Sequence, residues 1–145
     1  MTPFLEYLTR EREEVHLYGR KVKMRLVKFG EFEYEVKKEL GEFYPKISDW
    51  VHKFLNSHKY TCEEILIFRG SDTDGGDVVF RFLTESSKAF CESDSLSEFL
   101  PIKTGDVNFF PKLFMGQVIG EKFLVLSGNN GDDQLTFLFP LISKE

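Results

Sequence analysis

Five carboxylates in two glycine-rich segments are the residues of this chain best placed to do chemistry. Asp72, Asp74 and Asp77 lie in Ser71-Asp72-Thr73-Asp74-Gly75-Gly76-Asp77, between the apolar runs 65–69 and 78–83. Asp132 and Asp133 close Gly128-Asn129-Asn130-Gly131-Asp132-Asp133, between the runs 122–127 and 134–139. Glycine and Asp/Asn supply the backbone freedom that turns need, so both segments read as hairpin loops. Carboxylates at loop tips can bind a divalent cation through their oxygens or attract a cationic surface. A calcium loop of the EF-hand kind is excluded by the spacing. Asp72 and Asp74 fit its first two ligand positions, but Gly76 takes the third and Asp77 the place of the obligatory glycine. Leu83 stands where the closing Glu belongs. Partner binding without a metal is therefore the role expected of Asp72, Asp74, Asp77, Asp132 and Asp133.

The other polar residues offer less. His16, His52 and His58 have neither zinc nor catalytic spacing, and Cys62 and Cys91 add only two thiols. His58 and Cys62 are close in sequence, but a structural zinc wants four ligands and only Cys91 is left over. There is no Gly-x-Ser-x-Gly elbow and no phosphate-cradling glycine loop. Glu35-Val36-Lys37 resembles the Glu-x-Lys of the catalytic strand in restriction-type nucleases, which implies a Mg²⁺-holding carboxylate and a lysine on phosphate or water. That family also needs an upstream acidic residue, typically Asp, and the chain has no Asp before Asp49. The resemblance ends at three residues. Lys21, Lys23, Arg25 and Lys28, with Tyr18 nearby, have the composition of an RNA-binding strand. Three glutamates expected on the adjacent strand neutralise that face, so direct nucleic-acid contact is not expected. No cofactor is implied.

The elements that must position these residues follow from periodicity. Sixteen Phe against a single alanine, Ala89, describe a core built from rings, which favours sheet over helix. Thr2-Pro3 is a helix start. Val22, Met24 and Leu26 alternate with Lys21, Lys23 and Arg25, while Phe32, Tyr34 and Val36 alternate with Glu31, Glu33 and Glu35. Folding the two runs about Lys28-Phe29-Gly30 predicts a hairpin with Arg25 against Glu33, Lys23 against Glu35 and Leu26 against Phe32. Ile47, Trp50, Val51, Phe54 and Leu55 form one helical stripe after Pro45, with Ser48 or Asp49 as cap. A second hairpin pairs 65–69 with 78–83. Ser95-Leu96-Ser97-Glu98 has capping-box spacing for a turn or so of helix before Pro101. Runs 113–119, 122–127 and 134–139 form a three-strand meander, its first turn at Gly120-Glu121. The expected fold is a single α+β domain over 1–145, mainly antiparallel sheet with two or three helices packed on it.

Charge gives the functional expectation. Residues 1–60 carry 12 Lys/Arg against 10 Asp/Glu, a net of +2, and residues 61–145 carry 7 against 14, a net of −7. An acidic surface of this kind disfavours nucleic acid and suits a basic partner. No apolar run approaches the roughly 18 residues of a membrane span. The charged N-terminal stretch is unlike a secretory signal. Two cysteines fit a cytoplasmic protein with free thiols. A small, acidic, motif-free α+β chain resembles the immunity proteins of bacterial toxin systems. That resemblance implies a binder that covers the cationic active site of a toxin, a nuclease domain among the candidates. Two alternatives stand beside it: a metal-dependent hydrolase using Asp72, Asp74 and Asp77, and an adaptor subunit that assembles with itself.

Overall fold

The computed structural model describes residues 14–40, 44–71, 81, 91–92, 102–104, 107–115, 122–130 and 133–144. The strands are β1 (Glu14–Leu17), β2 (Arg20–Lys28), β3 (Tyr60–Thr61), β4 (Glu64–Ser71), β5 (Cys91–Glu92), β6 (Ile102–Thr104), β7 (Val107–Met115), β8 (Lys122–Asn130) and β9 (Asp133–Ser143). The helices are α1 (Phe32–Leu40) and α2 (Tyr44–Ser57). The strands form one antiparallel sheet in the order β1-β2-β4-β9-β8-β7-β5, with β3 beside β9 and β6 beside β7. This is the expected α+β architecture with mainly antiparallel sheet. The meander β7-β8-β9 is present, with β8 and β9 longer than their apolar runs, but its first strand is Val107–Met115 and shares only residues 113–115 with the expected run 113–119.

Both helices pack on one face. Ile47, Val51, Phe54 and Leu55 of α2 and Phe32 of α1 join a single buried cluster with Val27, Ile65, Ile67, Leu124, Leu126, Phe137 and Phe139. Each such side chain contributes about 1.5–3 kcal/mol when taken out of water. The helix begins earlier than the stripe indicates. Pro45 lies in its first turn, where a missing amide hydrogen costs nothing, and Ser48 is buried inside the helix rather than capping it. At the other end Lys59 takes the left-handed conformation, φ 58°, that ends many helices. The opposite face of the sheet is buried as well, through Val22, Met24, Leu66, Phe68, Phe123, Val125 and Leu138. The central strands are thus apolar on both faces. β2 alternates, with Val22 and Met24 buried between exposed Lys21, Lys23 and Arg25.

Three expectations are corrected. Residues 32–40 are helical, so the hairpin of 21–26 with 32–36 does not form. Gly30 is not left-handed, as the three-residue loop requires, and Phe29–Glu31 is a turn of 3-10 helix whose Phe29 N–H donates to the Glu63 carbonyl at 2.8 Å. β2 instead pairs with β1 through the two-residue turn Tyr18-Gly19, whose φ angles of 53° and 76° identify a type I′ turn. Over five residues the alternation Phe32/Tyr34/Val36 cannot be told from a helix, because positions i and i+4 coincide in both periods. Tyr34 separates them: Phe32 is fully buried and Tyr34 is 71% exposed.

The hairpin of 65–69 with 78–83 is likewise excluded. β4 has β2 on one edge, Val22↔Gly70 to Lys28↔Glu64, and β9 on the other, Leu66↔Leu138 to Ser71↔Asp133. No edge is left for a third strand. The ladder of β7 with β8 runs from Phe109↔Gly128 to Met115↔Lys122, so 109–112, expected outside the meander, are part of it, and the turn expected at Gly120-Glu121 lies outside the described residues. The helix start at Thr2-Pro3 and the capping box at Ser95 lie outside the described residues.

Candidate functional site

Register brings Ser71 and Asp133, the residues at which the two acidic segments join the sheet, to one end of it. β4 ends at Ser71 and β9 begins at Asp133, and these two residues are partners across the ladder. Asn130, the last residue of β8, pairs with Asp133 from the other side. The second segment is therefore a tight connection, with only Gly131 and Asp132 between paired strand ends, and not the six-residue loop its composition indicates. Asp72 follows Ser71 in the chain and Asp132 precedes Asp133, so carboxylates some 60 residues apart in sequence are bonded to paired residues. Asp72, Asp74, Asp77 and Asp132 lie outside the described residues. The Tyr18-Gly19 turn and Arg20 stand at the same end, because Val22↔Gly70 runs β2 outward toward it. There the Arg81 guanidinium carbon lies 4.3 Å from the centroid of the Tyr18 ring, a cation–π geometry.

The neutralised strand of the sequence reading is absent. Lys21, Lys23 and Arg25 line the helix-bearing face of β2, beyond the part that the helices cover, and all three are exposed. Lys23 faces Arg69 of β4, also exposed, and Arg25 faces Ile67. Glu33 and Glu35, expected opposite Arg25 and Lys23, are on α1 instead, and Glu33 Oε1 lies 3.5 Å from His52 Nε2. Glu14 of β1 stands directly opposite Lys23 on the other side, and its Oε2 lies 3.2 Å from Lys21 Nζ. A cationic ribbon of four side chains, Lys21, Lys23, Arg25 and Arg69, thus results. Arg69 was legible as part of it: it continues the alternation Ile65, Ile67, Arg69 on one strand face.

The remaining polar groups are committed to structure. His52 stands edge-on to Phe29 at 5.8 Å, and its buried Nε2 makes no hydrogen bond. His58 stacks on Phe54 at 4.3 Å, and its Nδ1 lies 3.0 Å from the Phe54 carbonyl oxygen, which only accepts, so this contact needs the proton on Nδ1. Cys62 is a buried free thiol that donates to the Glu64 carbonyl at 3.0 Å, and burial pushes its pKa up to about 12 from 9.0. It is held as a thiol at neutral pH, which removes it as a nucleophile. His58 and Cys62 therefore do not form half of a zinc site. Glu35-Val36-Lys37 lies on a helix, so it cannot be a catalytic strand. Among the described residues no group of three or more His, Cys, Asp or Glu could hold a metal ion.

One polar cluster is missing from the sequence reading. Ser127 Oγ and Thr136 Oγ1 lie 2.9 Å apart across β8 and β9, and Gln134 Nε2 donates to Ser127 Oγ at 3.5 Å. All three are buried on the sheet face opposite the helices. The alternation of Gln134 and Thr136 with Leu135 and Phe137 reads as one solvent face and one core face, and the structure buries both. No protein-family model, no curated protein and no solved structure matches the chain.

Proposed function

We propose that this chain is a protein-binding module that blocks a partner carrying a basic surface, in the manner of the toxin-neutralising immunity proteins it resembles in class. Its contact is the acidic end of β4 and β9, with Asp72, Asp74, Asp77, Asp132 and Asp133 as the binding carboxylates. The observation that supports this reading is the pairing of Ser71 with Asp133, since Ser71 precedes Asp72 and Asp133 follows Asp132 in the chain. Grouped like charge costs self-repulsion, and it is relieved when a cationic surface approaches. Binding needs no chemical step, cofactor or metal. A cytoplasmic location suits Cys62, a free thiol. Among the described residues no helix is long and apolar enough to cross a membrane, which says nothing of strands.

Affinity capture from the native cell identifies the partner without a prior guess, and association rates then test the mechanism. Electrostatic steering makes association fall steeply with salt, and Asp→Asn at the five positions slows association more than it speeds release. Association that is independent of salt and of these substitutions overturns the steering role. Hydrolysis of a substrate by the purified protein only with Mg²⁺ overturns the binder in favour of a hydrolase built on Asp72, Asp74 and Asp77.

A further inference from the structure

We propose that Lys122 and Tyr60 form a binding site for a phosphate monoester, at the end of the sheet remote from Ser71 and Asp133. Lys122 Nζ donates to the Tyr60 hydroxyl at 3.0 Å and lies 5.7 Å from the centroid of that ring. Both side chains are partly buried. A lysine drawn in from solvent ordinarily meets a carboxylate, because its ammonium loses hydration that a neutral group only partly replaces. Here the partner is a neutral phenol, and among the described residues no carboxylate forms an ion pair with Lys122. The sheet does not require the charge. Leu124 and Leu126, its neighbours along the same strand face, and Leu141, its partner across the ladder, are all buried and apolar.

The donors select the ligand. An ammonium has three N–H donors and gives one to Tyr60, and the phenol, having accepted, keeps its own O–H to donate. Two N–H groups and one O–H thus share one place, and among the described residues nothing accepts from them. They match the three acceptor oxygens of a phosphate monoester better than the two of a carboxylate. The phenol is held ready. Its ring lies parallel to His58, within 3° at 6.4 Å, and stacks on Phe54 at 6.3 Å. Lys59 precedes Tyr60, and Lys144 follows Ser143, the ladder partner of Tyr60. The Lys144 N–H donates to the Lys59 carbonyl at 2.8 Å, which ties the two together. Both lysines are exposed, and they add the positive potential that a dianion needs. Glu121 and Glu145, which flank this end in sequence, lie outside the described residues. Asp133 and Ser143 stand at opposite ends of β9, about 33 Å apart at the rise of a strand. The site is therefore independent of the acidic end and of the reading built on it.

NMR titration of the isotope-labelled protein with inorganic phosphate, against chloride at equal ionic strength, tests the site. Saturable shifts centred on Tyr60, Lys122 and their neighbours are expected with phosphate and not with chloride. Lys122→Met, which keeps an unbranched stem over the ring, should weaken binding at least about tenfold, a loss of about 1.4 kcal/mol. Tyr60→Phe removes one donor and keeps the ring, so it should weaken binding by a smaller factor with an unchanged circular dichroism spectrum. It keeps the test open if the Met variant fails to fold. A phosphoserine peptide and its unphosphorylated counterpart then identify the source. Tighter binding of the phosphopeptide than of inorganic phosphate assigns the site to a modified partner protein, and equal or weaker binding assigns it to a free phosphorylated small molecule. Shifts that chloride reproduces, or binding unchanged in both variants, overturn the proposal. Acetate bound as tightly as phosphate overturns it in favour of a carboxylate site.

Discussion

The ring of Phe32 stands edge-on to the ring of Phe139, centroids 5.4 Å apart and planes at 81°, and this contact fastens α1 to the central strand β9. Phe29 stacks on the other side of Phe32 at 5.6 Å, so the 3-10 turn and the helix share one anchor. The residue two positions on, Tyr34, points to solvent. Phe32→Ala should therefore destabilise the protein by about 3–5 kcal/mol, and Tyr34→Ala by less than about 0.5 kcal/mol. Denaturant melts of the two variants check this. Equal losses would restore the strand, in which both rings share a face.

Along α2 the stack of Trp50 on Phe54, at 5.4 Å, divides into unequal halves. Phe54 is 3% exposed and belongs to the core, while Trp50 is partly buried at its margin. Phe54→Ala should cost about 3–5 kcal/mol. Trp50→Ala should cost less, within about 0.5–3 kcal/mol, although tryptophan is the larger side chain. Thermal melts that reverse this order would place Trp50 in the core.

The hydroxyl pair on the opposite sheet face is suited to a double-mutant cycle. Thr136→Val leaves Ser127 with a buried hydroxyl short of a partner, at a cost of about 1–3 kcal/mol. Ser127→Ala does the same to Thr136. The combined variant removes both groups, so its loss should fall well short of the sum, with a coupling of about 0.5–3 kcal/mol. Additive losses would show that the 2.9 Å contact contributes nothing.

Cys62 predicts a loss of stability in alkali. Its pKa is raised in the folded protein, from 9.0 to about 12, chiefly by burial. Below pH 9 the thiol is protonated in both states and stability is complete. Between about pH 9 and 12 the unfolded chain ionises first and binds fewer protons, so stability falls, by at most about 1.4 kcal/mol per pH unit. Cys62→Ala removes this contribution, and the difference between the two stability–pH curves isolates it. Parallel curves across that range would contradict a buried thiol.

Composition and local period determined much of this protein. The ring-rich, alanine-poor content indicated a sheet core, the stripe Ile47, Trp50, Val51, Phe54 and Leu55 indicated a helix, and the apolar runs 122–127 and 134–139 indicated two strands of the C-terminal meander. These signals are local: each lies within one element, and burial on one side is enough to impose it. What only the tertiary structure decided is non-local. Whether 32–36 joins β2 or coils away depends on Phe139, more than 100 residues later, because alternation and a four-residue repeat agree over so short a run. Which strands flank β4 is a matter of competition for two edges, and β2 and β9 take both. The signs of the surface followed from those choices. With Glu33 and Glu35 moved to a helix, Lys21, Lys23 and Arg25 became a cationic ribbon, and with β9 beside β4, Ser71 met Asp133. Even the inward Ser127, Gln134 and Thr136 required a second covered face, which no single strand can announce, since alternation marks two faces and only their neighbours determine which of them sees water.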